Sequence, residues 1–294
     1  VTENVFDQQD WLLDGATGTE LARRGVDISG ERWSADAAIH HATTLQQVHE
    51  AYLAAGAEGI TTNTFRAHER AFHRAGRADE LDEVIATSVH LARAARDRVN
   101  AQALILGSIG PLEDCYVPER APSFRECFAE HSRAIERLLH AGVDLIVLET
   151  MGTAREAVAA ARAAAAQAAG RWIVSCLGSS DAAPGVLLGG DSMRGVIETC
   201  DTAYAIGVNC VPAPHALAHV QWLRAHVAAS TRVMAYANTG QMDEPGVWRN
   251  TDAVEPARYA DYARHWRDAG ANIIGGCCGT TPATIRALAD MPRA

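Results

Sequence analysis

Leu145-Ile-Val-Leu-Glu-Thr150 is apolar through its body and ends in a carboxylate and a hydroxyl. A run without polar alternation suits a strand buried on both faces, as in parallel sheets. The helical pattern Thr153–Ala169 follows, alanine-rich over residues 157–169, a composition suited to a helix packed on the outside of such a sheet. The same unit recurs along the chain. The other apolar runs are Trp11-Leu-Leu-Asp-Gly-Ala16, Gly59-Ile-Thr-Thr-Asn-Thr64, Ala103-Leu-Ile-Leu-Gly-Ser108, Trp172-Ile-Val-Ser-Cys-Leu177, Tyr204–Cys210, Arg232–Asn238 and Asn272–Cys278. Helical patterns lie between them at Thr43–Ala55, Asp79–Asn100, Ser123–His140, Pro214–Ala228 and Glu255–Ala269. Several reach a glycine stop (Gly56, Gly142, Gly270) just before the next run. Strand then helix, eight times over, predicts one (β/α)8 TIM barrel spanning residues 1–294. A doubly wound sheet is the competing fold, because the first crossover holds an irregular piece around Gly25–His40.

In such barrels the site lies at the carboxyl ends of the strands. Those ends carry Asp14, Asn63, Ser108, Glu149, Ser175 or Cys176, Asn209 with Cys210, Asn238, and Cys277 with Cys278. Singly, each has a structural alternative; Asp14 suits a helix cap and Asn238 a turn. Their collection on one rim points to function. His40, His41, His68 and His73 fall at no strand end and read as solvated helix surface or loop, and Gly107-Ser-Ile-Gly110 is too short to name a phosphate loop.

The cysteines sharpen the chemistry. Asn272-Ile-Ile-Gly-Gly-Cys-Cys-Gly-Thr-Thr-Pro282 places Cys277 beside Cys278, and Tyr204-Ala-Ile-Gly-Val-Asn-Cys210 ends in a third thiol. Adjacent residues on a regular strand point to opposite faces. Gly275, Gly276 and Gly279 allow a sharp turn that lets both sulfurs converge. Three thiolates at strand ends make a soft site that suits zinc and leaves a fourth tetrahedral position open. Seven cysteines are no disulfide framework, a Cys277–Cys278 disulfide would be a strained ring, and Cys115, Cys127 and Cys200 read as small packing residues.

Composition removes other classes. The net charge of −10 argues against a nucleic-acid or anionic-membrane surface. No apolar stretch approaches the roughly 20 residues of a membrane span. The opening Val1–Asp10 lacks the regions of a signal peptide, so the chain reads as cytoplasmic. Lysine is absent, which excludes Schiff-base aldolase chemistry and covalent pyridoxal phosphate attachment. Oligomeric state leaves no mark in the sequence.

Three thiolates cancel more than the charge of zinc and weaken its acidity toward water. Such a centre suits a fourth thiolate that stays nucleophilic. A free thiol of pKa about 8.5 is only a few per cent ionised at pH 7, so ligation raises the reactive form roughly 30-fold, or about 2 kcal/mol. Electron-rich sulfur ligands limit the nucleophilicity lost with a lowered pKa. The reaction class implied is attack by a substrate thiolate on an electrophilic carbon.

Gly207-Val-Asn-Cys210 together with Gly275-Gly-Cys-Cys-Gly-Thr-Thr-Pro282 resembles the zinc signature of homocysteine S-methyltransferases. Leu13–Glu20, Thr61-Thr-Asn-Thr-Phe65, Gly107–Pro111, Leu148-Glu-Thr150 and Tyr236-Ala-Asn-Thr-Gly240 are similar to the family at the other strand ends. The likeness covers essentially the whole chain. It implies a barrel whose zinc takes the thiolate of homocysteine and accepts a methyl group onto it, giving methionine. It implies Cys210, Cys277 and Cys278 as zinc ligands, and Asp14 and Glu149 for the homocysteine ammonium. Backbone amides near Gly15–Thr17, with Ser108, would hold its carboxylate, and Asn238 would occupy the open zinc position before substrate arrives. The partners implied are small molecules, homocysteine and a methyl donor.

S-methylmethionine or S-adenosylmethionine is the donor the resemblance favours; betaine and a methyl-corrinoid protein are the alternatives within the family. A cationic methyl group favours aromatic faces, and Trp33, Phe65, Tyr116 and Trp248 lie in predicted rim loops, where ordinary loop packing is the other explanation. Leu112–Arg120 departs from the pattern of the S-methylmethionine enzymes, which leaves donor and acceptor open. Two readings from other classes stand beside this one. A purely structural zinc lacks a strong fourth ligand near the cysteines. A metal-free thiol enzyme using Cys210 or Cys278 lacks a histidine at a strand end to serve as base.

Overall fold

A computed structural model of the chain describes residues 8–30, 32–244 and 247–292. The eight apolar runs form eight parallel strands: β1 (Trp11–Leu12), β2 (Gly59–Thr61), β3 (Leu104–Ile109), β4 (Leu145–Met151), β5 (Trp172–Cys176), β6 (Ala205–Pro212), β7 (Arg232–Asn238) and, last in the chain, β10 (Ile273–Gly276). Their order around the sheet is β1-β10-β7-β6-β5-β4-β3-β2. A parallel bridge from Leu13 to Gly59 joins the two ends, with Asp14 N–H donating to Gly59 O at 3.0 Å. The sheet is therefore a closed barrel and not a doubly wound sheet.

Side chains alternate along each strand. Trp11, Leu104, Leu106, Leu145, Val147, Ile173, Met234, Tyr236 and Ile273 fill the barrel, while Ile105, Ile146, Val174, Ile206, Val233 and Ile274 pack outward under the helices. The outer layer includes Ala42–Ala55, Leu81–Val99, Phe124–Ala141, Ala154–Gln167, Ala213–His226 and Pro256–Asp268, each within a few residues of its expected bounds. Gly56, Gly142 and Gly270 all stand at positive φ, where a side chain would be strained. Ser123 and Glu126 form a capping box at the start of Phe124–Ala141.

Two features lay outside the sequence reading. The irregular first crossover folds into short helices, Thr17–Arg23 and Ala37–His40, and Asn63 ties it down: Asn63 Nδ2 donates to Ser34 O at 2.6 Å and Ser34 Oγ to Asn63 Oδ1 at 2.7 Å. After β7 comes a hairpin of β8 (Gly240–Glu244) and β9 (Val247–Asn250), which carries Trp248. Among the described residues no helix is long and apolar enough to cross a membrane. The first seven residues of the opening segment, Val1–Asp10, lie outside the described residues.

Candidate active site

The barrel interior changes character toward the carboxyl ends of its strands. Beyond the apolar layer the inward positions become Ser108, Glu149, Ser175 and Asn209, all buried. Strand alternation explains Glu149, two residues beyond Val147. It fails for Cys210, which follows the outward Ile206 and Val208 by the same count and should face the helices.

Bulges resolve the conflict. Three residue steps on β6, Asn209 to Pro212, pair with two on β7, Tyr236 to Asn238. The extra residue breaks the alternation, and Cys210 takes a left-handed φ of 56°. Its sulfur thereby lies 2.8 Å from Cys277 Sγ. β4 repeats the device: Leu148 to Met151 pairs with Val174 to Cys176, and Thr150 stands at φ 63°. Outside glycine, the described residues hold one more positive φ, 48° at Trp33. All three residues line a single cavity of about 620 Å³. Such conformations cost of order 1–3 kcal/mol each, so their concentration here marks the site.

The sulfurs of Cys210, Cys277 and Cys278 lie within 4.8 Å of one another, and among the described residues no other histidine, cysteine or carboxylate group could hold a metal. All seven cysteines are free thiols. Asn238 locks the two cysteine segments together, its Nδ2 donating to Cys210 O at 2.7 Å and its Oδ1 accepting from Cys278 N–H at 3.0 Å. Gly279, at φ 84°, makes the turn, and a Cβ there would lie 2.0 Å from Thr239 Oγ1. The thiols share protons: hydrogen bonds from Cys210 and Cys277 hold Cys278 well below the usual thiol range, while the hydrogen bond with Cys277 pushes Cys210 up.

Across the cavity stand two carboxylates, Asp14 and Glu149, which make no ion pair among the described residues. Asp14 is buried and accepts from Thr61 N–H at 2.9 Å and Thr61 Oγ1 at 3.2 Å. Burial raises its pKa well above the ordinary value, with repulsion from Glu149 adding to the shift. Glu149 accepts from Ser108 Oγ and, at 3.2 Å, from Tyr236 OH. Burial, then the nearby Cys277 sulfur, raise it to about 7. Two buried carboxyls of raised pKa on one cavity are the kind of perturbed groups that cluster at functional sites. Thr17 Oγ1, also on the cavity wall, is buried without a hydrogen-bond partner among the described residues.

The structure thus brings Asp14, Gly15, Thr17, Ser108, Glu149, Cys210, Cys277 and Cys278 to one cavity. Asn238 touches the cysteine segments from behind and is not part of the wall; both ends of its amide are taken by backbone groups. Trp33, Phe65, Tyr116 and Trp248 line the mouth, with Trp33 and Phe65 edge to face at 5.7 Å between ring centres. Gly18 and Gly110 leave room for those rings, since a Cβ would lie 2.4 Å from Trp33 and 2.5 Å from Phe65.

Two expectations need correction. Cys115 is no mere packing residue, because the loop after β3 turns it into the cavity wall. His68 is buried rather than solvated, its ring edge to face with His131 at 6.3 Å, because the loop carrying it folds inward under that helix; His40, His41 and His73 are exposed as expected. Thr61, Thr150 and Tyr236 escaped notice as site residues. The signal for them was the family-like stretches in which they lie, Thr61–Phe65, Leu148–Thr150 and Tyr236–Gly240.

Residues 11–291 match the family described as homocysteine S-methyltransferase. The chain is 33% identical to the homocysteine S-methyltransferase of Escherichia coli (strain K12), covering 97% of this chain and 96% of that one. It is 31% identical to homocysteine S-methyltransferase YbgG of Bacillus subtilis (strain 168), over 96% of this chain and 94% of the relative. The metallated form of the homocysteine methyltransferase MmuM from Escherichia coli superposes with a TM-score of 0.80 at 30% identity, covering 96% of each chain.

Proposed function

The chain belongs to the homocysteine S-methyltransferase family, and from that premise we propose that it methylates the thiolate of homocysteine at a zinc ion held by Cys210, Cys277 and Cys278. The observation that carries the reading is the convergence of three sulfurs within 4.8 Å of one another, on the same cavity as two buried carboxylates. Three soft donors fit zinc, and the cavity in front of them leaves access for a fourth sulfur. Bound there, zinc supplies a substrate thiol that is ionised at neutral pH yet still nucleophilic.

The chain's own residues do the rest. Asp14 and Glu149 take the α-ammonium of homocysteine, which relieves the mutual repulsion that burial aggravates. Ser108, expected at the homocysteine carboxylate, donates instead to Glu149, and with Tyr236 it fixes that carboxylate in the orientation the ammonium meets. Thr17 Oγ1 and the peptide groups of Gly15–Thr17 receive the α-carboxylate, which gives the orphaned hydroxyl a partner. Trp33, Phe65, Tyr116 and Trp248 offer ring faces to a cationic methyl donor, S-methylmethionine or S-adenosylmethionine, and shield the reacting atoms from water. The methyl group passes from the donor's sulfonium sulfur to the homocysteine sulfur. The products are methionine and the neutral thioether left from the donor.

A donor screen on zinc-loaded protein tests this directly, with homocysteine as acceptor and methionine as the readout. Methionine formed from a sulfonium donor, with about one zinc per chain, is the expected result. Turnover with zinc absent, or with betaine alone, would overturn the proposal.

A further inference from the structure

Asn209 lies outside the roles assigned above, yet its side chain joins the two strained strand ends. It precedes the left-handed Cys210, as Glu149 precedes the left-handed Thr150. β4 and β6 flank β5 on either side, so the two bulges are not hydrogen-bonded neighbours in the sheet. The Asn209 amide crosses that gap inside the barrel. Its Oδ1 accepts from Thr150 N–H at 2.9 Å, and its Nδ2 donates to Thr150 Oγ1 at 2.7 Å. Nδ2 also stands 4.0 Å from Cys277 Sγ, within reach of a weak N–H···S contact. Asn209 is fully buried.

We propose that Asn209 is a positioning residue: its carboxamide clamps the β4 bulge to the β6 bulge and so holds Glu149, Cys210 and Cys277 in fixed register. The physical need is clear. A bulge removes a backbone N–H from the ladder, and the buried Thr150 N–H must find another acceptor. A left-handed non-glycine residue persists only where its surroundings over-determine it. One rigid amide meets both needs at Thr150, and because Asn209 directly precedes Cys210 the same bonds tie down the chain leading into that cysteine. Asparagine suits the task because it presents an acceptor and a two-hydrogen donor on one planar group.

This inference rests on the metal-site reading for its functional consequence but not for its structural part, and the experiment separates them. Zinc affinity is measured by chelator competition in the wild type, Asn209→Ala, Thr150→Val, Thr150→Ser and the Asn209→Ala/Thr150→Val double variant. Loss of such an outer partner of a metal site weakens binding about 10–100-fold, and that is the drop expected for Asn209→Ala. Thr150→Val, which removes one of the two bonds, should fall between it and wild type, and Thr150→Ser should behave as wild type. The double variant should be no worse than Asn209→Ala, because the two residues act as one unit. Zinc affinity in Asn209→Ala within twofold of wild type, or strictly additive losses, would overturn the proposal. Amide exchange at Thr150 in zinc-free protein gives the independent readout. Protection in the wild type that is lost in Asn209→Ala supports the clamp even if the wild type takes up no zinc, a result that would sink the metal site instead. Equal protection in both proteins refutes the clamp.

Discussion

Glu149→Gln should make this protein more stable at pH 8 while impairing its use of homocysteine. The ordinary glutamate pKa of 4.5 is raised here to about 7, chiefly by burial. The folded state therefore holds the Glu149 proton more tightly than the unfolded chain does. Between those two values the folded state binds more protons, so stability falls as pH rises. The contribution is fully present below about pH 4.5 and is lost by the time pH has passed 7. A shift of that size corresponds to roughly 3 kcal/mol of strain from ionising Glu149 in place. Glutamine cannot ionise, and its carbonyl still accepts from Ser108 while its amide meets the Tyr236 hydroxyl. For a chain of this length about 3 kcal/mol is worth roughly 5 °C in Tm. The assay is differential scanning calorimetry of both proteins at pH 5 and pH 8, without homocysteine. A Tm gain of several degrees at pH 8 that shrinks toward zero at pH 5 is expected, together with a KM for homocysteine raised at least tenfold. A gain of equal size at both pH values, or none at pH 8, would show that Glu149 carries no burial penalty. An unchanged KM would remove it from the ammonium site.

Cys277→Ser should lose both zinc and activity, measured by metal analysis of purified protein; full zinc occupancy in that variant would refute the ligand assignment. Homocysteine binding to the zinc-loaded enzyme should release about one proton at neutral pH. Calorimetry in buffers of different ionisation enthalpy counts that proton, zinc-edge absorption should show a fourth sulfur, and binding with neither change would rule the thiolate mechanism out. Gly18→Ala places a methyl group where the Trp33 ring lies, 2.4 Å from its carbons. The donor KM should rise several-fold with zinc content unchanged, and an unaltered donor KM would remove Trp33 from the donor face.

Much of this protein was legible in the linear chain because it rests on local pattern. Runs such as Leu145–Leu148 have no polar face, so they are strands only inside a double layer, and their alternation with helices leaves few closed topologies. The glycine stops and the position of Glu149 at a strand end follow from the same short-range rules. The paired cysteines at 277 and 278 announced a thiol site because glycines surround them.

What the sequence could not supply depends on residues far apart in it. Strand periodicity alone turns Cys210 toward the helices; a one-residue bulge, visible only against its neighbour β7, returns the sulfur to the cavity. Ring closure between Leu13 and Gly59 brings Asp14 to Thr61, and barrel curvature brings Tyr236 to Glu149 and Asn209 to Thr150. The elevated pKa of Glu149 is likewise no property of a glutamate but of the water excluded around it. Local sequence sets which groups a strand end can offer; which of them meet, and in what dielectric, is decided by closure of the barrel.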